Sequence, residues 1–128
     1  MDVTEHRGPE DILREFFLGF VRIHILYHAG IEPVCGVDLM AELRHHGYEL
    51  TPGTLYPLLH RLERGGYLRR QDRQVNGRWR KYYSLTEQGL PILEEARRRL
   101  PELVGEVLAG APVPLRGGDQ DGPSGERR

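Results

Sequence analysis

Two punctuated helix ends and a tight turn confine the middle of this chain more than any other feature does. Thr51-Pro52 opens a segment that Gly65-Gly66 closes, and Asn76-Gly77 follows shortly after. The Thr51 hydroxyl is placed to accept from an otherwise unpaired amide of a first helical turn. Pro52 sits at the first helical position, where its missing N–H costs nothing, and the paired glycines supply a left-handed stop. Between them Leu55, Leu58, Leu59 and Leu62 recur at i, i+3, i+4 and i+7, a single apolar stripe. The other side carries Gly53, Thr54, Tyr56, Pro57, His60, Arg61 and Arg64. A helix anchored by leucines that turns small, hydroxyl-bearing and basic groups outward is built to lie against a polyanion.

The flanking segments extend this pattern. Gly36 to His46 reads as a helix with Val37, Leu39, Met40 and Leu43 inward and Gly47 as its cap. With the turn Gly47-Tyr48-Glu49-Leu50 and the leucine helix it forms a helix-turn-helix, whose second helix enters the major groove of DNA. Asn-Gly between alternating segments is a strong hairpin signal, and it predicts strands over Tyr67–Val75 and Arg78–Leu85. That register sets Val75 opposite Arg78, Arg70 opposite Tyr83 and Leu68 opposite Leu85. Leu68, Tyr83 and Leu85 then share the core side at the base, while Arg73, Arg78, Trp79, Arg80 and Lys81 gather toward the tip. A hairpin apolar at its root and basic at its tip suits contact with a phosphate backbone. Trp79 reads either as a cover for neighbouring arginine stems or as a contact for sugar edges.

Charge distribution supports a nucleic-acid face where bulk charge does not. The chain carries a formal charge of −1 and a pI near 6.6. Residues 51–83, however, hold eight Arg and Lys against Glu63 and Asp72, a local balance of +6, which leaves −7 for the rest. A basic face on an acidic body is the expected signature. Cys35 is the only cysteine, so an intramolecular disulfide is impossible and a reducing compartment fits. With no apolar leader or membrane-length run, the expected location is cytoplasmic.

Outside this centre, Glu10 to His28 predicts a helix that is apolar nearly all round. Such a helix must be buried on more than one side, so Phe16, Phe17 and Phe20 are expected at an interface with a second copy. Ala29-Gly30-Ile31-Glu32-Pro33 is expected to end it. Thr86 caps a last helix extending to about residue 109, where Leu93, Ala96, Leu100, Leu103 and Val107 form a short seam for the same pairing. Pro101 is expected to kink that helix. Residues 1–9 read as a loose arm and 110–128, rich in Gly, Pro and charge, as a disordered tail. The fold class is therefore mostly α with a two-stranded β-wing: a winged helix-turn-helix over 10–85 with dimerisation helices at both ends.

Three stretches also resemble a known family. Leu50-Thr51-Pro52-Gly53-Thr54-Leu55-Tyr56-Pro57-Leu58-Leu59-His60-Arg61-Leu62-Glu63, then Gly66-Tyr67-Leu68, then Arg80-Lys81-Tyr82-Tyr83-Ser84-Leu85-Thr86-Glu87-Gln88-Gly89 look like the PadR family of bacterial transcriptional regulators. The likeness covers roughly residues 12–108. It implies a homodimer on a palindromic double-stranded operator, a repressor released by an effector, with one helix after the wing as in the compact subgroup. Thr51, Thr54 and Tyr56, near the recognition helix N-terminus where the dipole favours anions, are then the phosphate or base-edge contacts, although Tyr56 also reads as half-buried packing. His60, Arg61 and Arg64 lie further along, the two arginines toward phosphate. In the wing Arg78, Arg80 and Lys81 come first, then Arg73.

Other functional classes make different demands on the residues. The sequence has no Gly-rich phosphate loop, no HExxH and no paired carboxylates in an evident cleft, and Ser84 and Ser124 are the only serines, so an enzyme is not expected. No cofactor is expected and the effector stays unnamed. A metal-responsive regulator is the sharper alternative: His24 and His28 stand at i, i+4 and can chelate, with His45-His46 and Cys35 as further donors. A small-molecule effector pocket lined by Phe16, Phe17, Phe20 and Leu93 is another. A winged-helix module that binds protein and no DNA is the third.

Overall fold

The leucine stripe and its two stops produce a helix with one face in the core. In the computed structural model, which describes residues 8–115, the order is α1 (Pro9–Ile31), β1 (Val34–Cys35), α2 (Gly36–His45), α3 (Pro52–Arg64), β2 (Leu68–Val75), β3 (Arg78–Leu85) and α4 (Gly89–Val107). This is a winged helix-turn-helix, mostly helical with a small antiparallel sheet. Leu55, Leu58 and Leu59 of α3 are buried against Val21, Ile25, Leu26 and Ala29 of α1, Leu39 and Leu43 of α2, Leu68, Tyr83 and Leu93. Each fully buried leucine contributes about 1.5–3 kcal/mol relative to exposure. Burial pushes the Tyr83 phenol above its ordinary pKa, and Glu63 adds to the rise.

Helix ends follow the glycines. After α2, Tyr48 N–H donates to the Leu43 carbonyl and Gly47 N–H to Arg44; after α3, Tyr67 N–H donates to Leu62 and Gly66 N–H to Glu63, all at 2.9–3.0 Å. Both are the same paired-bond C-terminal motif, and it needs a left-handed residue, here Gly47 at φ 95° and Gly66 at φ 89°. The hairpin register is as expected, with Val75 opposite Arg78, Arg70 opposite Tyr83 and Leu68 opposite Leu85. Asn76 and Gly77 take positive φ of 53° and 77°, the two left-handed residues that a two-residue hairpin turn requires.

Three local expectations need correction. α1 does not stop at His28; it starts at Pro9 and runs to Ile31, because Ala29 is buried and Gly30 fits closely beneath Leu85 and Leu93. A third strand, β1, pairs Val34 with Tyr83 and Cys35 with Tyr82; two residues after a proline are too few to show alternation. Thr51 occupies the N-cap position of α3 but its side chain makes no capping bond. The amides of Thr54 and Leu55 reach the Thr51 carbonyl instead, both at 3.0 Å. The last helix forms as expected, with Pro101 inside α4, which continues to Val107. The cap expected from Thr86 does form, its Oγ1 accepting from Gly89 N–H at 3.0 Å.

The chain divides into two units between Arg97 and Arg98, the first holding the winged helix and the second the last turns of α4. Residues 1–7 of the expected arm and 116–128 of the expected tail lie outside the described residues. Among the described residues no helix is long and apolar enough to cross a membrane.

Candidate nucleic-acid interface

The side of α3 away from the leucines is open. Thr51, Pro52, Gly53, Pro57, His60, Arg61 and Arg64 are all exposed. Gly53, Pro57, His60, Arg61 and Arg64 recur at i, i+4, i+7, i+8 and i+11, which is one continuous stripe on a helix. At its N-terminal end the Thr54 hydroxyl accepts from Thr51 Oγ1 and from Arg14 Nη2, each at 3.4 Å. Arg14 belongs to α1, and sequence reasoning does not find it: forty residues separate it from Thr54, beyond any local pattern. Gly53 is bare. A Cβ there would meet nothing within 4 Å except Thr51 Oγ1 at 3.8 Å, so no internal contact demands glycine at this position. Pro57, one turn on, has no N–H to give the Gly53 carbonyl, which leaves exposed polar backbone on this outward face.

Tyr56 is half-buried. Its ring and hydroxyl fill the space where a Cβ on Gly36 would stand, which ties α3 to the start of α2. Beside it a cleft of about 410 Å³ opens between Gly36, Tyr56 and His60 on one wall and Arg78, Arg80 and Lys81 of β3 on the other. The outward face of α3 and the tip half of the wing's basic strand thus line one groove.

The wing cations are not equivalent. Arg78 and Lys81 are exposed. Arg80 is half-buried, and its Nη1 donates to Cys35 Sγ at 3.9 Å, so part of its guanidinium serves packing. Arg73 lies over the Tyr82 ring at 4.7 Å from the centroid and donates to Gln71 Oε1 at 3.3 Å. Arg70 pairs with Asp72 at 3.3 Å, which cancels one charge of the stretch. Trp79 remains 70% exposed; the ring that carries a stacked arginine is Tyr82, not Trp79.

The residues expected at a subunit interface separate into two groups. Phe16, Phe17 and Phe20 are exposed at 56%, 48% and 41%, as are Leu103 and Val107 on α4. Leu93 is buried in the chain's own core, so it is not free for a partner, and the pocket expected from Phe16, Phe17, Phe20 and Leu93 gives way to a different cleft. That cleft, about 320 Å³, lies between Leu13, Phe17 and Val21 of α1 and Tyr48 and Leu50 of the turn before α3. Of the metal-donor candidates, His24 and His28 stack with ring centroids 6.1 Å apart. The third imidazole beside them is His46; Cys35 is buried against Arg80 instead.

Comparison with known proteins agrees with this geometry. The family model described as the transcriptional regulator PadR-like family matches residues 25–95, from the second half of α1 into α4. The chain belongs to the PadR-like family of transcriptional regulators. It is 51% identical over 98 residues to the transcriptional regulator Rv3488 of Mycobacterium tuberculosis, covering 77% of this chain and 92% of that protein. Among solved structures it resembles a PadR-like transcription factor from Bacteroides fragilis, with 30% identity, TM-score 0.65 and coverage of 76% of this chain and 95% of that one. A PadR-like transcriptional regulator from Bacillus cereus is similar to the same degree, with 30% identity, TM-score 0.66 and coverage of 76% and 99%. The PadR-like match spans the helix-turn-helix and the wing together, the elements that line the groove.

Proposed function

We propose that this PadR-like regulator is a sequence-specific DNA-binding repressor. In this reading it acts as a homodimer on a palindromic operator and is released by an effector. The observation that carries the reading is the shared groove. Exposed α3 side chains and the exposed cations of β3 lie on one surface, the arrangement by which a recognition helix enters the major groove while a wing grips adjacent phosphates. Thr51, Thr54, Arg61 and Arg64 then serve α3, and Arg78 and Lys81 serve the wing, with Arg14 steadying Thr54. Pairing through α1 is supported by its second apolar face: Ile12, Leu13, Phe16, Phe17 and Phe20 are all at least 39% exposed. Neither catalysis nor a cofactor enters this reading. The cleft between α1 and the turn before α3 touches the elements that set the position of α3, and its lining suits an apolar effector.

The test is fluorescence anisotropy of the full chain on the DNA preceding its own gene, repeated over a salt series. Arg78→Ala combined with Lys81→Ala is expected to weaken operator and random DNA alike. It should lower the salt slope by about two per wing, at roughly 0.9 for each phosphate left without its cation. An unchanged slope would take the wing off the DNA. Gly53→Ala separates recognition from folding. Alanine is the better helix former by about 0.8–1 kcal/mol and meets open space, so thermal stability should hold or rise. Operator affinity should fall on the order of tenfold, about 1.4 kcal/mol, because the added methyl stands where a phosphate or base edge approaches. Unaltered affinity would place the DNA elsewhere on the surface.

A further inference from the structure

Away from the DNA-facing groove, four donor side chains converge where α1 meets the end of α2. His24 and His28 stand one turn apart on α1; Glu42 and His46 stand one turn apart at the end of α2. One ring nitrogen from each of His24, His28 and His46 lies within 4.8 Å of the other two. Glu42 Oε2 is 3.4 Å from His46 Nε2 and 3.9 Å from His28 Nε2. The His46 ring stacks on His24 and His28 with centroids 4.8 and 5.8 Å away. His28 Nε2 is buried and has no hydrogen-bond partner among the described residues. Burial, then the neighbouring His46 and His28, hold the His24 pKa below its ordinary value.

We infer that His24, His28, His46 and Glu42 form a binding site for a divalent transition-metal cation of the zinc type. Three imidazoles and one carboxylate make a four-donor set suited to Zn²⁺, Co²⁺ or Ni²⁺ and poorly suited to Mg²⁺ or Ca²⁺, which prefer all-oxygen shells. Donors about 2.0–2.1 Å from a tetrahedral ion stand roughly 3.3 Å apart. The donor atoms, within 4.8 Å of one another, need to close by about 1.5 Å. His46, 37% exposed at the capping position of α2, is free to make that movement. The two i, i+4 pairs come from different helices, so a bound cation ties α1 to α2. Coupling to DNA rests on the proposed repressor function: α1 carries the face assigned to pairing and α2 leads into α3, so the tie sets how two recognition helices meet the operator. Cation and operator then alter each other's affinity by the same factor.

The experiment titrates Zn²⁺ into metal-free full-length chain against a chromophoric chelator, and records the visible spectrum with Co²⁺. One cation per chain and the intense bands of four-coordinate Co²⁺ are expected. His28→Ala and His46→Ala should each lower Zn²⁺ affinity by at least about 100-fold, beyond the 10–100-fold typical of outer-shell partners. Glu42→Gln should weaken it less, and His45→Ala should leave it unchanged. Circular dichroism establishes that each variant is folded; His46 is exposed enough for its loss to be tolerated. Absence of binding at saturating Zn²⁺, or binding that survives His46→Ala, overturns the site. Operator isotherms with and without saturating Zn²⁺ should differ by about fivefold or more, and the difference should vanish in His46→Ala. Identical isotherms beside a normal Co²⁺ spectrum overturn the coupling. Failure to bind DNA in either condition overturns the proposed function and leaves the metal site standing.

Discussion

A chain carrying Phe16→Glu and Phe20→Glu is expected to sediment as a folded monomer and to bind operator DNA at least about 100-fold more weakly than its parent, the scale of avidity lost when two linked contacts become one. The two rings are 56% and 41% exposed, on the side of α1 opposite Val21, Ile25 and Ala29, which hold the helix to its own core. Replacing them removes nothing from that core, so far-ultraviolet circular dichroism and the thermal midpoint should stay close to the parent. In the proposed subunit interface, however, each new carboxylate would lose water without gaining a partner, at a cost of several kcal/mol. A two-fold operator is read by two α3 helices held one DNA turn apart, and a monomer retains only one of them. Sedimentation equilibrium and anisotropy on the same samples check both halves. A variant that remains dimeric would move the pairing surface off this part of α1.

Gly89→Ala is expected to lower stability by about 2–4 kcal/mol, the sum of an overpacking cost and the loss of a cap. A Cβ at Gly89 would overlap the Tyr67 carbonyl oxygen and come within 2.6 Å of Leu85 Cδ1. The first obstacle is backbone and cannot swing aside. It is also tied down: Thr86 N–H donates to Tyr67 O at 3.2 Å, and Thr86 Oγ1 donates to Gly66 O at 2.6 Å while accepting from Gly89 N–H. Making room for one methyl therefore pulls apart the junction that joins the end of α3, the base of the wing and the start of α4. Urea unfolding measures the loss. Gly105→Ala is the internal control, because its Cβ would meet nothing within 4 Å and helix propensity alone should raise stability by about 0.8–1 kcal/mol. Equal behaviour of the two variants would show that the junction yields easily.

Junctions of this kind mark the boundary between what local pattern specifies and what it does not. The register of β2 with β3, the left-handed stops at Gly47 and Gly66, the leucine stripe of α3 and the Thr86 cap were all legible. Each depends on residues a few positions apart, and turn chemistry and helical periodicity act over that range. The outward face of α3 was legible for the same reason, since a helix that commits one side to leucine leaves the other for solvent or a partner.

What escaped the local pattern was set by which segments meet in space. β1 exists because the free edge of β3 accepts Val34 and Cys35. α1 continues through Gly30 because Leu85 and Leu93 cover its last turn, and the same packing draws Leu93 into the core and away from any partner. Arg14 reaches Thr54 across the α1–α3 packing, and Arg80 turns one edge toward Cys35. His24, His28 and His46 were visible as candidate donors, but that Glu42 stands beside them and Cys35 does not was decided by the end of α2 lying against the C-terminal half of α1. Spacing along the chain specifies caps, turns and faces through short-range hydrogen bonds and periodic burial. Which faces meet depends on packing between distant segments, and that packing placed the donors at one point and the cations along one groove.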